Sequence, residues 1–173
     1  MPPPVRAAAD FGIDYRVERA EDLPFIAALY ASGRAREMAT FGWPPELQAA
    51  FLDQQHQAQH RHFRAAYPDA EWLVIERNGE PVGRLYIEVN ELVVHGIDIA
   101  LIPEMRGNGI GGAIMRDLID YGRELGKPVT VYVEKGNPAS HLYRRLGFVD
   151  YADEDKGPYE LLVWREEGPA GGS

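Results

Sequence analysis

Apolar positions along this chain follow two regimes, and the period changes near residue 70. Before that point the spacing is helical. Phe25, Ile26, Leu29 and Tyr30 share one face of a helix opened by Asp22, an N-cap candidate, and by Pro24, which suits a first helical turn. Gly33 reads as the interruption of that helix. Trp43-Pro44-Pro45-Glu46 reads as a second start, and a helical pattern continues to Tyr67, where Pro68-Asp69 stops it. Residues 51–67 are rich in Gln and His and poor in strongly apolar positions, which places them at the surface or along a cleft. Ahead of both helices, residues 15–19 alternate as a short strand and residues 1–14 read as a flexible arm.

Beyond residue 70 the alternation has period two. Residues 72–77 and 81–89 form two strands joined by Asn78-Gly79, the pair that a type I′ hairpin turn favours. Residues 91–101 are a third apolar run, broken at Gly96 by a bulge or a close backbone approach. A helix then ends at Gly126, with Ile110, Ile114, Leu118, Tyr121 and Leu125 on one face. Residues 129–133 read as a buried strand, and Asn137-Pro138 opens a short helix closed by Gly147. Residues 148–151 and 159–164 form a last pair of strands, and the Gly-rich tail 166–173 reads as disordered. Helices first, then an antiparallel meander, one β-α-β crossover and a hairpin define an α+β chain with a single domain over residues 15–165.

Composition narrows the function. At 173 residues and 45% hydrophobic, the chain fits one domain with a proper core. It has no apolar run of the roughly 18–20 residues that a membrane span needs. Residues 1–6 lack the apolar core of a signal peptide, so a cytoplasmic protein is expected. The absence of cysteine excludes disulfides and thiolate catalysis. A net charge of −9 disfavours nucleic acid, whose binding relies on clustered Lys and Arg, and suits either a cationic substrate or simple solubility. His56, His60 and His62 raise a metal reading. Only the first two share a helix face, so a solvated or cleft-lining polar face is preferred and no metal is expected.

The chemistry concentrates in Arg106-Gly107-Asn108-Gly109-Ile110-Gly111-Gly112, which follows a strand and opens a helix. Glycines let a backbone approach a ligand with its amides turned inward, and a helix N-terminus favours negative charge, so this loop reads as a diphosphate cradle. Two cofactor classes compete for it. Gly107 to Gly112 matches the dinucleotide fingerprint G-x-G-x-x-G literally, and Glu134 lies about twenty residues on. A dinucleotide fold, however, needs several β-α-β units, and here antiparallel strands precede the loop. The other reading is the coenzyme A loop R/Q-x-x-G-x-G/A, matched in frame by Arg106, Gly109 and Gly111 with Pro103 upstream.

At this point the chain resembles the GCN5-related N-acetyltransferase (GNAT) superfamily, over about residues 15–164. The resemblance is strongest from Asp98 through the loop, and over Asn137-Pro138-Ala139-Ser140-His141-Leu142-Tyr143-Arg144-Arg145-Leu146-Gly147-Phe148. It implies a mixed, mostly antiparallel sheet of six or seven strands with helices on both faces, and acetyl-CoA as co-substrate. The strands on either side of the loop and its helix would splay apart. Backbone groups of Ile99, Ala100 and Leu101 would then pair with the pantetheine arm, and amides of Arg106, Gly107, Asn108, Gly109, Ile110, Gly111 and Gly112 would hold the diphosphate. Asn137 would cap the last helix and bond the arm. Tyr143 matches the general-acid position, and a phenol near pKa 10 can protonate a thiolate.

The general base stays open among His95, Asp98, Glu88 and a water relay. On a regular strand His95 and Asp98, three apart, would face opposite ways, and the break at Gly96 leaves that facing unsettled. The acceptor implied is a primary amine on a small molecule or peptide, with Tyr30, Arg34, Gln55, Gln59 and His62 as contacts among which nothing selects. A homodimer goes with the resemblance. The alternatives are an acetyl-CoA-binding sensor without turnover and a dinucleotide-binding oxidoreductase.

Overall fold

The structure is a computed structural model that describes residues 2–151 and 157–167. Its strands are β1 (Ile13–Val17), β2 (Glu71–Arg77), β3 (Glu80–Val89), β4 (Val94–Leu101), β5 (Val129–Glu134), β6 (Val149–Asp150) and β7 (Tyr159–Trp164). Its helices are α1 (Leu23–Ala39), α2 (Pro45–Ala66), α3 (Ile110–Leu125) and α4 (Ala139–Arg145). The seven strands form one sheet in the order β1-β2-β3-β4-β5-β7-β6. Only β4 and β5 pair in parallel among the described residues, and every other neighbour is antiparallel. This is the expected α+β class. It lacks the run of parallel units a dinucleotide fold requires.

Local chemistry accounts for most of these elements. Asn78 and Gly79 take φ of 51° and 85°, the two left-handed conformations a type I′ turn needs, so β2 and β3 close on each other there. On α3, Ile110, Ile114 and Leu118 are fully buried as the period requires, joined by Ala113, Met115 and Ile119, while Leu125 at the end of the stripe is exposed. They pack with Val94, Val129 and Val131 in the main core. The opposite sheet face carries Arg84 and Tyr86, which reach Gln59 of α2 and Glu18. Helices therefore cover both faces.

Two expectations for the first third of the chain are corrected. Gly33 does not end α1, which continues to Ala39. One helical glycine costs about 1 kcal/mol relative to alanine, too little to stop a helix anchored by buried Ile26, Leu29 and Met38. Nor is the segment before residue 15 a free arm. Ala7–Phe11 is a turn of 3₁₀ helix, and β1 begins at Ile13 and ends at Val17 rather than at residue 19. The cause is Asp117 of α3, whose carboxylate accepts the amides of Arg6, Ala7 and Ala8 at 3.0, 2.7 and 3.1 Å. Of the tail expected over residues 166–173, residues 168–173 lie outside the described residues.

Candidate active site

The central feature is a wedge in the sheet. β4 and β5 pair only over Val94↔Val129, His95↔Thr130 and Gly96↔Val131. Beyond Gly96 they part, β5 following β7 and β4 following β3. The register of β3 against β4 steps from Tyr86↔Asp98 to Ile87↔Gly96, so Ile97 is an extra residue that bends β4 away. At the apex a β-carbon on Gly96 would stand 3.0 Å from the Val131 side chain, so the strands approach closely just before they separate. The resulting cleft of about 170 Å³ is lined by Asp98 and Ile99 of β4, Tyr132 and Glu134 of β5, and Asn137 and Tyr143.

The hydrogen-bond phase of β4 decides which backbone groups face the wedge. Ile102 donates its amide to the Val82 carbonyl at 2.9 Å. Alternation along an antiparallel ladder then turns Ala100 toward Arg84 of β3, and Ile99 and Leu101 toward the open side. Ile99 and Leu101 thus offer backbone groups to the gap, whereas Ala100, expected with them, faces β3. The Leu101 carbonyl accepts from Arg106 Nε at 3.0 Å, which ties the strand end to the glycine loop.

In that loop Gly107 and Gly109 have φ of 75° and 90°, a conformation that side-chain-bearing residues resist. Residues 106–109 are exposed, and α3 begins at Ile110 with Gly111 and Gly112 in its first turn. Amides of a first turn have no carbonyl partner within the helix, so the loop and the α3 N-terminus present donors together. Asn108 Oδ1 lies 3.4 Å from the Ile110 amide. Gly112 is buried, and a β-carbon there would meet Leu142 of α4 at 3.5 Å.

Tyr143 of α4 lines the cleft and is 8% exposed. Burial, reinforced by the negative charge of Asp98, pushes its phenol up to about 12. Asn137 Oδ1 accepts the Ala139 amide at 2.9 Å and starts α4, as expected of a cap.

The bulge at Ile97 also resolves the facing of the base candidates. Glu88 opposes His95 and Tyr86 opposes Asp98, so all four side chains share the face under α1 and α2. Asp98 is held by Arg84, whose Nε lies 2.5 Å from Oδ2 and whose Nη2 donates to Gln59 at 2.9 Å. His95 is 8% exposed, with Nδ1 2.8 Å from the Thr130 hydroxyl and Nε2 lacking a partner among the described residues. Desolvation lowers its pKa to about 4. Of the acceptor-side residues, Gln59 is engaged by Arg84, Arg34 reaches Glu134 at 3.5 Å, and Tyr30 lies tilted against His56 with ring centroids 5.4 Å apart.

Sequence reasoning missed Arg84, Thr130 and Tyr132. Arg84 carried a signal, since a charge inside the apolar run from Val82 to Ile87 needs a buried partner. Among the described residues no group of three or more His, Cys, Asp or Glu comes together to hold a metal.

A seven-stranded sheet opened between its parallel pair, beside a glycine loop that starts a helix, is the arrangement of an acyl-CoA-dependent transferase. Residues 33–148 match the model of the acetyltransferase (GNAT) family, and the chain belongs to that family. Among proteins of known activity, it is 44% identical over 54 residues to a streptothricin acetyltransferase of Streptomyces lavendulae. That stretch covers 30% of this chain and 28% of the relative. Among solved structures it resembles the PaiA N-acetyltransferase of Thermoplasma acidophilum in complex with coenzyme A, with TM-score 0.64 and 15% identity over 89% of this chain and 99% of that one. YncA of Salmonella typhimurium, solved with acetyl-CoA, gives TM-score 0.52 and 20% identity over 92% and 96%. At such identities the likeness is one of fold.

Proposed function

We propose that this protein transfers the acetyl group of acetyl-CoA to a primary amine by direct attack in a ternary complex. The observation that carries the reading is the continuity of the β4–β5 wedge with the glycine loop. An open strand edge at Ile99 and Leu101 leads through the Arg106–Leu101 contact to the glycine loop and the first turn of α3. An extended amide-bearing arm ending in a diphosphate fits both parts. Bound acetyl-CoA would supply an activated acetyl thioester.

The residues divide the work. Ile99 and Leu101 align the arm as a missing strand would, with Asn137 in the lining of the cleft. Amides from Gly107 to Gly112 hold the diphosphate, whereas that of Arg106, expected with them, is donated to the Pro103 carbonyl at 3.2 Å. Tyr143 keeps its proton at working pH and delivers it to the departing sulfur. The burial that raises a phenol also raises a thiol, so donor and acceptor stay matched inside the cleft. Removal of the amine proton falls to Glu88, His95, Asp98 or water. A net charge of −9 supports an amine acceptor over nucleic acid, and a cysteine-free chain with no membrane-crossing helix among its described residues fits the cytoplasm. A homodimer rests on the resemblance.

The test joins binding to turnover. Calorimetry with acetyl-CoA, CoA and NADH is followed by thiol release with streptothricin, kanamycin, lysine and a peptide with a free N-terminus. Acetyl-CoA and CoA should bind and NADH should not. Tyr143→Phe should lower kcat about 10²- to 10⁴-fold with the acetyl-CoA Kd unchanged. Tight binding without turnover of any amine would make the protein a sensor, and NADH binding alone would sink the reading.

A further inference from the structure

The glycine loop has little of its own to hold it in shape. Gly107 and Gly109 carry no side chain, sit at positive φ and are exposed, as are Arg106 and Asn108. Glycine is also the residue that loses most conformational freedom on ordering. Amides that must converge on an anion bind well only if something else orders them beforehand.

That support comes from outside the region matching the family, which begins at residue 33. The Phe11 ring lies against the loop, so that a β-carbon on Gly109 would meet its Cζ at 3.3 Å. The Phe11 carbonyl accepts from Arg77 Nε at 3.0 Å, and Arg77 Nη1 lies 3.4 Å from the sulfur of Met105, just before the loop. One residue on, the Gly12 carbonyl accepts the Asn78 amide at 2.9 Å, pinning the segment to the β2–β3 turn. Its other end is fastened by Asp117, 1% exposed, through the amides of residues 6 to 8, with Ala8 wholly buried beside it. Asp117 lies on α3, seven residues after the loop's last turn opens that helix at Ile110. The 3₁₀ segment is thus strapped at both ends, and its one large ring is pressed on the loop's second glycine.

We propose that residues 6–12 form a brace that preorganises residues 106–110 for the diphosphate of a nucleotide-bearing cofactor, with Phe11 and Asp117 as positioning residues. The ligand class rests on the function proposed above, whereas the brace itself does not. Phe11 acts through Gly109 and Asp117 acts through the 3₁₀ helix. Neither touches the reacting atoms.

The test uses the full chain with Phe11→Ala, Phe11→Leu and Asp117→Asn. The first readout needs no ligand. Backbone order parameters of Gly107 and Gly109 should fall from about 0.85 to below about 0.6 in Phe11→Ala, with Phe11→Leu retaining most of the order. The second compares two acetyl donors, acetyl-CoA and S-acetylpantetheine, which lacks the diphosphate. If the competent loop conformer drops to about a tenth of its population, kcat/KM for acetyl-CoA falls about tenfold while that for S-acetylpantetheine holds. Asp117→Asn should shift both readouts in the same direction as Phe11→Ala. Unchanged order parameters in Phe11→Ala would overturn the brace. Equal losses with both donors would overturn its assignment to the diphosphate. A fall in order parameters in Phe11→Ala, together with a wild type that fails to bind CoA, would uphold the brace and refute the cofactor reading instead.

Discussion

His95 provides a quantitative test of how dry the sheet face under α1 and α2 is. The ring is buried between Tyr67 and Tyr132, with centroid distances of 5.7 and 5.1 Å, and Nδ1 rests on Thr130. Glu88 opposes it across β3. Burial wins over the hydrogen bond with Thr130, so the folded-state pKa is about 4, against 6.5 for an ordinary imidazole. Between these values the unfolded chain binds a proton that the folded one refuses. Stability contributed by the neutral ring is therefore complete above pH 6.5 and is lost as pH falls toward 4. A separation of about 2.5 in pKa corresponds to about 3 kcal/mol. Urea unfolding of wild type and His95→Asn at a series of pH values from 7.5 to 4 isolates this contribution. His56 and His60, whose pKa values burial also lowers, are common to both proteins and cancel in the difference. The stability difference between the two proteins should change by about 3 kcal/mol across the window, in the direction that penalises wild type at low pH. A difference flat with pH would mean that the ring charges freely in the folded state and that the face is wet.

Two further predictions concern packing around the wedge. Arg84→Met should destabilise by about 3 kcal/mol, because Asp98 and Gln59 lose their shared partner, and Asp98→Asn in that background should recover part of the loss in a double-mutant cycle. Additive single effects would show that the ion pair contributes nothing. Gly122→Ala should cost about 2 kcal/mol by thermal denaturation, since its β-carbon would stand 2.6 Å from Val129 Cγ2 and 2.8 Å from the Lys127 carbonyl. A neutral result there would show that α3 can lift off β5 freely.

The parts of this molecule that were legible in the sequence are those where a short segment determines its own conformation. Asn78-Gly79, the glycine loop and α4 with its flanking Asn137 and Gly147 each carry their geometry locally, and the structure places Tyr143 and Asn137 in the lining of one cleft. What was not legible depends on partners far along the chain. The first residues read as an arm because their anchor, Asp117, lies about 110 positions away. A carboxylate on the apolar face of α3 was a visible anomaly, but nothing in the pattern says which amides it receives.

The bulge at Ile97 is the clearest case, and it bears on the open step of the mechanism. The sequence marks a break near Gly96 without showing where the extra residue falls. Without an extra residue between His95 and Asp98, the two side chains would stand on opposite faces. With the bulge at Ile97, Asp98, His95 and Glu88 stand on one face and can be weighed against each other. Asp98 is engaged by a buried guanidinium. His95, with a pKa of about 4, holds a proton too weakly to take one from an alkylammonium directly. Glu88 is half-buried, and its carboxylate makes no hydrogen bond or ion pair among the described residues. We propose that the amine proton leaves through Glu88 or a water held beside it, with His95 accepting a hydrogen bond at its unpartnered Nε2 rather than the proton itself.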